Sequence, residues 1–139
     1  MLSTPLTDLL PKRMFVYGTL RTDLYHRTNF MGLPIGFGLT PGVMYSLGGY
    51  PGVVPGNPGD RVFGQVLTFD HHTDEEWRTI LHSTDRYEGT PTLYHRRVVE
   101  VTMRDGPPVD AHMYFFSQSD YLEKFAIIPS GDWADALHT

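Results

Sequence analysis

Residues 62–91 read VFGQVLTFDHHTDEEWRTILHSTDRYEGTP, and two periodicities meet in them. Over Val62 to Phe69 the side chains alternate: Phe63, Leu67 and Phe69 share one face, and Val62, Gly64 and Val66 the other. Both faces are largely apolar, as in a central strand covered on both sides. From Thr73 the period becomes helical. Thr73 followed by Glu76 forms a capping-box pattern, and Asp74 and Glu75 add negative charge at the positive end of the helix dipole. Trp77, Ile80, Leu81 and Thr84 then make a core-facing stripe, and Gly89 and Pro91 stop the helix. Extended by two turns beyond Leu81, the stripe lands on Glu88, so the geometry that buries Trp77 and Leu81 aims a carboxylate inward. Such a glutamate either pairs with a buried arginine or reaches water where the helix frays, or it is partly desolvated with a pKa raised toward neutrality, fit for general acid/base work.

Working outward, an apolar run at Met14-Phe15-Val16-Tyr17 begins a strand that Gly18 breaks, and residues 1–12 before it read as a loose leader to a single domain over 13–139. From Leu33 to Pro58 glycine and proline punctuate short apolar pieces at Ile35 to Leu39, Val43 to Leu47 and Val53-Val54, which read as short strands joined by tight turns. Beyond the helix, Val99, Val101 and Met103 alternate with Glu100 and Thr102. Val109, Ala111, Met113 and Phe115 likewise alternate with Asp110, His112 and Tyr114, and Gly106-Pro107-Pro108 turns one strand into the next as a hairpin. Tyr114, Phe115, Phe116 and Tyr121 are expected in the core.

The chain has 139 residues, 40% of them hydrophobic and 19% charged, enough for one self-sufficient core. Fourteen glycines and eleven prolines point to many turns rather than a helical bundle. Cysteine is absent, which excludes disulfides, thiolate metal sites and a cysteine nucleophile. A net charge of −5 argues against a nucleic-acid partner; the single basic cluster, His95-Arg96-Arg97, lies in an apparent strand. No apolar run reaches the ~20 residues of a membrane span, and the start of the chain, broken by Pro5 and Pro11, lacks the pattern of a signal peptide. A cytoplasmic protein is expected, with no membrane partner.

The seven histidines (His26, His71, His72, His82, His95, His112 and His138) show no helical zinc spacing, so no metal is expected. There is no G-x-S-x-G elbow and no Walker lysine, and Gly36 to Gly42 misses the dinucleotide spacing. The segment Phe15 to Arg21 is more informative. A strand that ends in glycine frees consecutive backbone N–H groups, which form either a cradle for an anion such as a carboxylate or an ordinary strand-to-loop turn.

Tyr17-Gly18-Thr19-Leu20-Arg21 resembles the Y-G-T-L signature of the gamma-glutamylcyclotransferase superfamily, in its AIG2-like, gamma-glutamylamine cyclotransferase branch. Further stretches resemble that branch in order: Tyr50 to Gly56, Val62 to Val66, Asp85 to Pro91, Leu93 to Arg97, and Ile128 to Trp133 with its G-D-W ending. The resemblance implies an α+β fold, a small mixed barrel-like sheet with one main helix packed on it and the active site at one barrel mouth. It implies that Glu88 matches the catalytic glutamate and that Tyr17, Gly18, Thr19 and Leu20 bind substrate. The implied reaction releases 5-oxoproline from a small-molecule gamma-glutamyl amine or conjugate and needs no cofactor. A non-catalytic carboxylate-binding module, or a biosynthetic enzyme removing a gamma-glutamyl protecting group, are the alternatives. Within the stretch after Y-G-T-L, Tyr25 stands where an asparagine is usual, and Tyr25, Tyr50, Tyr94 and Arg96 are all candidates for the pocket's lining.

Overall fold

A computed structural model describes residues 9–25 and 32–137, apart from the side chains of Tyr25, Ser119 and Tyr121. The described residues form strands β1 (Arg13–Val16), β2 (Leu33–Pro41), β3 (Val43–Ser46), β4 (Pro51–Val54), β5 (Arg61–Thr68), β6 (Tyr94–Met103), β7 (Val109–Phe116) and β8 (Ala126–Ile127). Helices are α1 (Thr22–Tyr25), α2 (Asp74–Tyr87) and α3 (Trp133–Ala136), with a 3-10 turn at Ser119–Lys124. β1, β5, β2, β6 and β7 close into a barrel in that order, and β4, β3 and β8 form a smaller sheet.

The two-faced apolar pattern of Val62 to Phe69 is explained by this order. β5 lies between β1 and β2, antiparallel to both, with Val66 opposite Phe15 on one side and Gly36 on the other. Phe15, Val66, Val101, Ala111, Met113, Phe115 and Trp133 belong to one core, to which β1, β5, β6 and β7 contribute. The opposite faces of β1 and β5 carry Met14, Val16 and Leu67 into a second core against Trp77, Ile80 and Leu81 of α2. Side chains of one strand point alternately to its two faces, so each of these strands serves two cores. α2 starts as its sequence predicts: the Thr73 hydroxyl accepts from the Glu76 N–H at 3.1 Å, and Glu76 accepts from the Thr73 N–H at 2.8 Å. Its buried residues are Trp77, Ile80, Leu81 and Thr84.

β6 and β7 form the expected hairpin, paired from Tyr94↔Phe116 to Val101↔Val109. A parallel contact at Met14↔His112 closes the barrel. The three short strands after Leu33 are present, but β2 runs nine residues through a bulge between Pro34 and Gly36 and is longer than its apolar piece. The face of β7 that carries His112 and Tyr114 is covered as well: His112 is 1% exposed, and Tyr114 is buried as expected. Phe115 and Phe116 are buried as expected; the Tyr121 side chain, His26 and His138 lie outside the described residues.

Residues 1–8 of the expected leader lie outside the described residues, but its last part is packed. Leu9 is 0% exposed within the second core. Its carbonyl accepts from Trp77 Nε1 at 2.6 Å and from His112 Nε2 at 2.9 Å. Among the described residues no helix is long and apolar enough to cross a membrane.

Candidate active site

One cavity of about 530 Å3 opens beside the end of β1, and Tyr17, Gly18, Thr19, Leu20 and Glu88 all line it. The segments Y-G-T-L and D-R-Y-E-G, far apart in sequence, therefore meet at one place. Phe15, Val16, Tyr17, Pro51, Tyr94 and Tyr114 are the buried part of the lining. Gly49, Tyr50, Tyr87 and Leu93 are its exposed part and so form the mouth. Of the four candidates for the lining, Tyr50 and Tyr94 take part, Arg96 stands behind it, and the Tyr25 side chain lies outside the described residues.

The loop after β1 is shaped by the residues around it. A turn closes through the Arg21 N–H to the Gly18 carbonyl at 3.0 Å. The Thr22 N–H and hydroxyl both bond Gln65 Oε1, tying the loop to β5 at 2.9 and 3.1 Å. Arg21, 2% exposed, bonds Asp23 at 2.7 Å and Asp132 at 2.8 Å and does not line the cavity. Asp132 also caps α3 by accepting from the Ala134 N–H at 2.9 Å, and Trp133 fills the barrel core. The G-D-W ending thus anchors the Y-G-T-L loop from below. Gly131, at φ +70°, supplies the left-handed backbone this requires. A Cβ on Gly18 would press on Pro51 Cγ at 2.9 Å, so glycine lets the loop sit close against β4. The N–H groups of Gly18, Thr19 and Leu20 donate to no acceptor among the described residues, which leaves three consecutive donors at the cavity.

Glu88 is the C-cap of α2, with its own N–H donating to the Thr84 carbonyl at 2.9 Å. The carboxylate makes no hydrogen bond or ion pair among the described residues, and burial pushes its pKa up to about 7. The two arginines that could have neutralised it are committed elsewhere, Arg21 as above and Arg96 to Asp85. The three buried tyrosines of the cavity do not help either, because each of their phenols donates to another acceptor. Tyr17 Oη donates to the Tyr114 carbonyl at 2.7 Å, Tyr94 Oη to the Pro51 carbonyl at 2.9 Å, and Tyr114 Oη to Asp85 Oδ1 at 2.6 Å. All three phenols are raised by burial, and the charge of Glu88 adds to the effect.

Behind the cavity lies a polar network that sequence reading missed. Arg96 on β6 grips Asp85, one turn before Glu88, through Nε to Oδ1 at 2.8 Å and Nη2 to Oδ2 at 3.0 Å. Arg96 Nη1 also stands 2.9 Å from His112 Nδ1. Since His112 Nε2 must donate to the Leu9 carbonyl, its Nδ1 accepts from Arg96 and the ring is neutral. Burial, aided by Arg96, lowers the His112 pKa accordingly. The available signal was that Asp85 and Arg96 both lie in motif stretches without belonging to an apolar stripe. Among the described residues no group of three or more histidines and carboxylates is placed to hold a metal.

A closed five-strand barrel with one main helix packed on it is a gamma-glutamylcyclotransferase-like fold. The sequence model of the family described as "Gamma-glutamyl cyclotransferase, AIG2-like" matches residues 14–135, and the chain belongs to that family of enzymes. A gamma-glutamylcyclotransferase family protein, ytfP, of Citrobacter rodentium is 33% identical over 126 residues, covering 88% of this chain and 96% of its own. Among solved structures, YkqA from Bacillus subtilis superimposes with a TM-score of 0.65 at 27% identity, over 89% of this chain but only 40% of that longer one. An AIG2-like protein from Mus musculus gives a TM-score of 0.56 at 24% identity, over 76% of this chain and 77% of its own, and supports the fold alone.

Proposed function

We propose that the protein releases 5-oxoproline from a gamma-glutamyl amine or gamma-glutamyl conjugate, with Glu88 as general acid and base. The observation that carries this reading is the Glu88 carboxyl, held at about pKa 7 at the same cavity as three free backbone N–H donors. A gamma-glutamyl compound brings its own nucleophile. Its α-amine attacks the γ-carbonyl, the new C–N bond closes a five-membered ring, and the old C–N bond to the leaving amine breaks. The protein need only grip the α-carboxylate, remove a proton from the α-ammonium and return one to the leaving nitrogen.

The N–H groups of Gly18, Thr19 and Leu20 suit the carboxylate, and Tyr17 walls the folded substrate. Glu88 suits the proton transfers, because a pKa near the working pH lets one carboxyl accept and then donate; such help is typically worth 10²–10⁴-fold. Holding the amine against the carbonyl supplies further acceleration by orientation. The base form must be ionised, so kcat/KM is expected to rise about tenfold per pH unit below about 7 and to level off above it.

The test is a panel of gamma-glutamyl amides, amino acids and peptides assayed for 5-oxoproline. Turnover of any member with that pH limb supports the reading. No turnover across the panel, with binding of the same compounds, would instead make the chain a carboxylate-binding module.

A further inference from the structure

Three titratable side chains stand in line behind the cavity, and the proton transfers use none of them: Asp85 on α2, Arg96 on β6 and His112 on β7. They differ in how firmly they are fixed. Asp85 lies past the apolar stripe of α2, near a helix end that frays unless something anchors it. Arg96 grips it with two bonds of one fork, but does so from the end of a long, rotatable side chain. The third bond, from Arg96 Nη1 to His112 Nδ1 at 2.9 Å, pins that fork. His112 is the rigid member. Its ring is 1% exposed, lies 5.9 Å from that of Trp77, and donates through Nε2 to the Leu9 carbonyl at 2.9 Å. A flipped ring would lose both of its bonds, so the Leu9 carbonyl keeps the Nδ1 lone pair turned to Arg96. At the other end of the line, Asp85 accepts from the Tyr114 phenol, and Glu88 follows one turn later. Without Arg96 the Asp85 carboxylate would be a like charge behind Glu88. The other titratable side chains of the lining, Tyr17, Tyr50, Tyr87, Tyr94 and Tyr114, are phenols and supply no cation in its place.

We propose that His112 is a positioning residue for the proton transfers: held in one tautomer by the Leu9 carbonyl, it fixes Arg96 on Asp85 and so sets the place and the charge surroundings of Glu88. This rests on the cyclotransferase reading and adds to it a residue that touches no substrate.

Two amide substitutions separate positioning from packing. His112→Asn keeps an acceptor near the place of Nδ1 and gives up the donor to Leu9. His112→Gln keeps a donor near the place of Nε2 and gives up the acceptor for Arg96. Both disturb the same buried site, so a packing role alone predicts similar losses. Each variant is assayed for 5-oxoproline release from a gamma-glutamyl amide that the wild type turns over, below its own unfolding temperature. The Asn variant is expected to keep kcat within about threefold, and the Gln variant to lose at least about tenfold. KM of the Gln variant should barely change, because the Gly18, Thr19 and Leu20 donors are untouched. Its kcat/KM limb should move up from about pH 7 by about one unit, as Asp85 loses its cation. Equal kcat losses in the two variants, or none in the Gln variant, would overturn the proposal and leave the cyclotransferase reading standing. Should the Gln variant not fold, the kcat of the Asn variant and the His112 ring of the 15N-labelled wild-type chain decide. A retained kcat with one neutral Nε2–H tautomer across the activity limb supports the proposal, and an Nδ1–H or charged ring overturns it. No turnover by the wild-type chain would overturn both readings.

Discussion

Glu88 ends its helix with a half-buried carboxyl and no donor among the described residues, an arrangement that costs stability whenever the group is charged. The sign follows from its pKa, raised from 4.5 to about 7 by burial. Below pH 4.5 the group is protonated in the folded and unfolded chains alike, and its stability contribution is fully present. As the pH rises through about 7 the folded chain must carry a desolvated charge, and that contribution is lost. Glu88→Gln is neutral throughout. Thermal unfolding should therefore show the variant gaining on the wild type by on the order of 2 kcal/mol between pH 4 and pH 8, a value discounted for partial exposure. A difference that does not change with pH would mean an ordinary pKa. The inward aim of Glu88 was legible in sequence, because the Trp77–Leu81 stripe carries to it. Its isolation was not, since that depends on where three tyrosines from distant segments send their protons.

At the scale of elements, α2 is joined to the barrel twice. Its apolar stripe packs on β1 and β5, and near its C-terminal end Asp85 is held by Arg96 of β6. The first joint was readable from period and capping. The second was not, because a salt bridge between residues eleven apart in sequence has no periodic signature. The Asp85 carboxylate also anchors the Tyr114 phenol at the cavity, so the pair positions both the helix end and a wall of the site. Arg96→Met leaves Asp85 partly buried without its cation and is expected to cost about 3 kcal/mol in denaturant unfolding. Adding Asp85→Asn should recover part of that loss, giving a coupling above the ~0.5 kcal/mol of independent sites. Additive losses would show that the two side chains do not act as a unit.

Across the whole molecule, residues 9–12 before β1 are part of the fold. Composition makes residues 1–12 look like a leader because Pro5 and Pro11 break any pattern, and two prolines hide the fact that Leu9 fills a core position. The Leu9 carbonyl also satisfies Trp77 and His112, joining the N-terminal segment to the helix and to the network behind the site. Leu9→Ala is expected to lower stability by about 2–5 kcal/mol, where a loose leader residue would cost nothing measurable. The barrel itself was legible as strands but not as a closed ring, since closure rests on one parallel contact between β1 and β7. That closure brings the Y-G-T-L loop, the end of α2 and the start of β6 to one cavity, and the proposed chemistry needs the first two together. The most direct test is 5-oxoproline release by Glu88→Gln on a gamma-glutamyl amide that the wild type turns over, with the circular dichroism spectrum of each recorded alongside. A loss of at least a hundredfold with an unchanged spectrum is expected; turnover at the wild-type rate would contradict a catalytic role for Glu88.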